Sequence, residues 1–94
     1  MYKIQIEHPI RDFDAWKVAF DRDPAGRMAS GVRRYDILRP VDDPNFVIVD
    51  VDFDTREAAE TFVTKIRGIW QRVEGTVMTS PRVRIVECVE RHEY

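Results

Sequence analysis

Apolar and polar side chains alternate from Tyr2 to His8, with Tyr2, Ile4, Ile6 and His8 on one side and Lys3, Gln5 and Glu7 on the other. A repeat of two marks a strand with one buried face. Pro9, which has no N–H to give a ladder, ends it. The period then changes. Phe13, Trp16 and Phe20 fall at i, i+3 and i+7, one apolar stripe of a helix. Asp12 is its expected N-cap, and Asp12 and Asp14 sit at the positive end of its dipole. Pro24 disfavours helix at Asp23. Pro24–Ser30 has room for one more turn, closed by Gly31 in the left-handed conformation. A second strand is expected over Gly31–Pro40, a turn over Val41–Asn45, and a third strand over Phe46–Asp54. In that strand Val47, Val49, Val51 and Phe53 oppose Ile48, Asp50 and Asp52. Two strands joined by a short turn read as an antiparallel hairpin. From Asp54 to Gly75 the period is helical again, with Ala59, Phe62, Val63, Ile66, Trp70 and Val73 in one stripe. Asp54 and Glu57 have the spacing of a capping box, and Gly75 fits the position past the helix end. Ser80–Glu90 alternates once more, with Val83, Ile85 and Val89 on one face, before a polar tail.

The order β-α-β-β-α-β predicts an α+β, ferredoxin-like sandwich in one domain spanning residues 1–94, with two helices on one face of a four-stranded antiparallel sheet. No element remains to cover the other face. Alternation assigns to it Lys3, Gln5, Glu7, Ile48, Asp50, Asp52, Arg84, Val86 and Cys88, with Phe46 at its edge. Arg33, Tyr35 and Ile37 join them if the second strand keeps register. Such a face can meet water. Aliphatic groups among opposed charges also suit a polar-rimmed interface, and a 94-residue domain has a thin margin of stability alone. A homodimer is the expectation.

Composition narrows the partners. Apolar residues at 44% against 34% charged give a globular balance, and the net charge of −2 argues against nucleic acid. The basic clusters Arg33–Arg34 and Arg82–Arg84 are too short to change that. Cys88 is the only cysteine, so no internal disulfide and no cysteine-built metal site can form. It is expected to pack as a small apolar residue. No apolar run reaches the ~20 residues of a membrane span. The opening residues lack the pattern of a secretory signal. No membrane partner and a cytoplasmic location are therefore expected. No glycine-rich phosphate loop and no Ser-His-Asp set is present.

The element order, with "HP" ending the first strand, then "DFDAWKVAFD", a hairpin "LRPVDDPNFVIVDVDFD" and a helix with "EAAETFV", resembles the dimeric α/β-barrel superfamily. Within it, the chain is similar to the small antibiotic-biosynthesis-monooxygenase-like proteins of bacteria, over about Tyr2 to Glu90. The resemblance implies two sheets packed face to face as an α/β barrel, which accounts for the uncovered face. It implies a pocket between sheet and helices. It further implies a cofactor-independent monooxygenase or cyclase acting on an electron-rich aromatic or polyketide-like substrate. The alternative is a non-catalytic dimeric ligand-binding or accessory module. Other members of the superfamily degrade haem through a histidine near the second helix. Here no histidine lies between His8 and His92, which argues against that chemistry. No cofactor is expected.

His8, on the face of Ile4 and Ile6, is the candidate base: an imidazole near neutral pKa can take a phenolic proton. Its plainer reading is a ring hydrogen-bonded where the chain turns at Pro9. Asp12 or Asp14 could orient it. Trp16 and Trp70 are candidate substrate-binding residues, each otherwise a core aromatic. Tyr35, with Arg34 or Arg39, would supply the hydroxyl and cation that hold an anionic or quinol-like molecule, unless the arginines pair across the ladder. Asp50, Asp52 and Asp54 could hold a cation, but Arg33 and Arg84 can neutralise them, so no metal is expected. The two functional readings separate on the interior. Catalysis needs an enclosed cavity of at least ~300 Å³ with His8, Tyr35 or an arginine pointing into it. The accessory reading has Phe13, Trp16, Phe62 and Trp70 fill that space.

Overall fold

The computed structural model describes residues 1–73 and 81–94. Six elements follow in the expected order: β1 (Tyr2–Pro9), α1 (Phe13–Asp21), β2 (Val32–Leu38), β3 (Phe46–Phe53), α2 (Arg56–Val73) and β4 (Arg82–Glu87). The sheet runs β2-β3-β1-β4, antiparallel throughout. Both helices lie on one side of it, which is the ferredoxin-like architecture.

The alternation of β1 and β3 decides which side is covered. Ile4, Ile6, His8, Val47, Val49, Val51 and Phe53 are all buried, and the helices meet them with Trp16 from α1 and Ala59, Phe62 and Ile66 from α2. α1 begins as expected, with Asp12 Oδ2 accepting from Ala15 N at 3.1 Å. It ends at Asp21, before Pro24. Residues 22–31 form hydrogen-bonded turns rather than a further helical turn, and Gly31 has a φ of 91°. α2 is capped by Thr55, whose Oγ1 accepts from Ala58 N at 3.1 Å, and not by the expected Asp54 and Glu57. A helix entered at Arg56 puts Thr55 at the cap, and a hydroxyl fills that role well. Gly75, the expected C-terminal cap, lies outside the described residues.

β2 departs from simple alternation. A bulge between Val32 and Arg34 lets Val32 face Phe53 while Arg34 faces Asp52. The extra residue reverses the parity of everything after it. Tyr35 and Ile37, expected on the open face, pair with Val51 and Val49 and so lie on the helix side. Arg34, Asp36 and Leu38 take the open face instead. Two further expectations fail at β4. The strand ends at Glu87, so Val89 is exposed, and Cys88 is an exposed free thiol rather than a packing residue.

The open face carries an ion network. Asp52, with a side chain only 3% exposed, receives Arg34 Nε at 2.8 Å and faces Lys3 Nζ at 3.2 Å. Arg33 instead pairs with Asp54, and Arg84 donates to Gln5. Among the described residues, no three of His, Cys, Asp or Glu are grouped to hold a metal ion.

Candidate functional site

Between α1, α2 and the covered sheet face lies a cavity of about 140 Å³. Its floor comes from Ile6, Val49 and Val51, and its walls from Trp16 and Phe20 of α1 and Phe62, Ile66 and Trp70 of α2. Among the described residues, His8 and Arg27 are the only ionisable side chains in the lining. The volume is about half the ~300 Å³ at which small-molecule pockets begin and so falls short of the size expected for catalysis, yet the aromatic side chains do not fill it as the accessory reading expected. An apolar cavity of ~150 Å³ holds one benzene ring.

His8 is 2% exposed. Its Nδ1 lies 3.1 Å from the Pro9 carbonyl oxygen. A carbonyl only accepts, so Nδ1 carries the hydrogen and Nε2 holds the lone pair. Neither Asp12 nor Asp14 orients the ring: Asp12 is spent on the helix cap and Asp14 is exposed at the start of α1. Burial pushes the imidazole below its ordinary pKa, and the Pro9 carbonyl opposes this in part. His8 is therefore neutral at pH 7, with a basic nitrogen.

The same shift predicts a pH dependence of stability. Folding favours neutral His8, so the unfolded chain binds the proton more readily. That contribution is complete above about pH 6.5 and is lost as pH falls toward the lower folded value. Denaturant unfolding from about pH 7.5 down to about pH 5 should show stability falling with acid, and His8→Gln should flatten that slope. An equal slope in the variant would contradict the assignment.

A line of rings leads outward from His8. Its centroid is 6.0 Å from that of Trp16, which stacks on Phe20 at 5.0 Å, and Phe20 meets the edge of Tyr35 at 5.1 Å. The Arg27 guanidinium lies 4.0 Å over Phe20 and 5.0 Å from the Tyr35 ring centre. His8, Trp16 and Trp70 thus converge on the cavity. Tyr35 reaches it only through Phe20 and Arg27. Arg34 does not reach it, being across the sheet on Asp52, and Arg39 stacks over Phe13. Arg27 was not among the residues expected from the sequence. Its one signal there is its place seven residues after Phe20, the last ring of the α1 stripe.

No family model and no curated protein sequence matches the chain. Solved structures do. A Nitrosomonas europaea protein, provisionally described as an antibiotic biosynthesis monooxygenase, superposes with a TM-score of 0.71 at 20% identity over 96% of this chain and 100% of its own. A variant of MhuD, solved with two manganese protoporphyrin IX per active site, gives 0.73 at 14% identity over the whole of both chains. A variant of SnoaB, a cofactor-independent oxygenase from Streptomyces nogalater, gives 0.66 at 11% identity over 96% of this chain and 94% of its own. The chain shares the ferredoxin-like fold of these solved structures.

Proposed function

We propose that this chain binds a single-ring, electron-rich aromatic molecule between its helices and sheet, and oxidises it with dioxygen without a cofactor. The carrying observation is the apolar cavity of about 140 Å³ with a neutral His8 in its wall. One ring matches the volume; a polycyclic substrate would need the helices to part. In the step proposed, His8 Nε2 takes a phenolic proton from a quinol. The ring carbon of the resulting anion bonds to dioxygen, and the hydroperoxide loses water. One quinol and one dioxygen give one hydroxyquinone and one water. The apolar walls leave the anion poorly solvated and thus reactive.

A porphyrin does not suit these residues. The space takes one ring, and α2 carries no histidine to ligate iron. One observation favours the non-catalytic reading: among the described residues, His8 has no carboxylate partner to stabilise its charged form. Oxygen uptake with 1,4-hydroquinone separates the two. Uptake above autoxidation, matched one to one by hydroxyquinone, supports catalysis. Saturable binding with no added uptake leaves a ligand-binding module.

We further infer that a second copy covers the open sheet face, completing a barrel. Phe46, Ile48 and Val86 lie half-buried there and Leu38 exposed, among ion pairs whose central carboxylate, Asp52, is already buried. That mixture suits an interface core with a polar rim. Native mass spectrometry at micromolar concentration should find a dimer; a monomer would contradict it.

A further inference from the structure

We infer that Arg27 makes this cavity prefer a ring bearing a carboxylate over a neutral one, so that the ligand class is a dihydroxybenzoate, a quinol that carries a carboxylate. The inference rests on the reading of the cavity as an aromatic-ligand site and names what that ligand carries.

Arg27 is the one permanent charge among the described residues of an otherwise apolar lining. His8, the other ionisable group, is held neutral by burial. The loop between α1 and β2 fixes the arginine in place. Asp23 takes a positive φ of 52° and Gly26 one of 64°. Asp23 Oδ1 accepts the backbone N–H of Arg27 at 2.9 Å, and the same oxygen lies 3.5 Å from its Nε. Nη1 donates to the Phe20 carbonyl oxygen at 3.0 Å. The guanidinium plane is held against Phe20. A side chain with five N–H donors has spent few of them on these contacts. The second Nη1 hydrogen and both Nη2 hydrogens remain for a ligand among the described residues, a fork that matches the two oxygens of a carboxylate. Asp23 is partly exposed and meets the guanidinium at Nε, so its carboxylate offsets the charge in part without occupying Nη2.

Arg27 and His8 both line one cavity that takes a single ring. A dihydroxybenzoate can therefore give its carboxylate to Arg27 and one hydroxyl to His8. Arg27 is then the residue that selects and orients the ring, and His8 the one that meets the proton.

Calorimetric titration with benzoate and its neutral isostere benzamide tests this without altering the protein. Benzoate should bind the wild type about tenfold more tightly or better, the value of one charge-assisted pair. Arg27→Gln should abolish that preference, weakening benzoate far more than benzamide. Arg27→Lys, which keeps the charge but loses the fork, should retain part of it. Equal affinity for the two probes in the wild type would overturn the selectivity while leaving the aromatic cavity intact. A preference that persists in Arg27→Gln would overturn the role of Arg27. Failure of both probes to bind would remove the aromatic-site reading, and this inference with it.

Discussion

Replacing Phe53 with alanine should destabilise the chain by about 3–5 kcal/mol. Phe53 is fully buried at the end of β3, with its ring centre 5.3 Å from that of Phe62 on α2. It joins sheet to helix, flanked in the ladder by Tyr2 on one side and Val32 on the other. Removing the ring loses its transfer free energy and leaves a void that a β-strand backbone cannot close. A domain of this size has roughly 5–14 kcal/mol in total, so the loss is about a fifth of it or more. The melting temperature should fall by more than about 12 °C. Urea unfolding at fixed protein concentration measures the change, the concentration being held because a dimer would couple stability to it. A loss under about 1.5 kcal/mol would mean that β3 and α2 are not packed as described.

His8→Gln should lower the rate of hydroquinone oxidation by about 10²–10⁴-fold, the usual contribution of a positioned base. Glutamine can hydrogen-bond to the Pro9 carbonyl and to a ligand hydroxyl, but it cannot take a proton. Affinity for benzoate should change little, because Arg27 and the apolar walls remain. The informative result is the split: catalysis lost, binding kept. If the variant oxidises hydroquinone as fast as the wild type, His8 is a wall residue only, and its contact with Pro9 is its whole role.

The fold was legible because two periods alternate cleanly. Period two in Tyr2–His8 and Phe46–Phe53, and the helical stripes of α1 and α2, assigned nearly every buried residue to its face. β2 was not fully legible, though its sequence held the warning. Val32, Tyr35 and Ile37 cannot share a face at period two, since they are three and two residues apart, and one inserted residue reconciles them. The cavity could not be read at all, because its volume is a small difference between large packed side chains. That difference depends on where Trp16 and Trp70 settle. Of the candidate site residues, His8 stood out by strand parity and the tryptophans by helical spacing. Arg34 and Arg27 show the limit. Parity at a bulge sent Arg34 to the far side, toward Asp52. Arg27 gained its position from loop turns that bring it back over Phe20, a tertiary contact that no local pattern encodes.

The central claim is that the space between helices and sheet takes an aromatic ring. The most direct measurement is a ¹H–¹⁵N NMR titration with 4-hydroxybenzoate, following the indole N–H signals of Trp16 and Trp70 and the ring nitrogens of His8. These signals should shift together and saturate, while Arg34 and Asp36 on the open sheet face stay unmoved. No saturable shift at Trp16, Trp70 and His8, or shifts confined to the open face, would contradict the account.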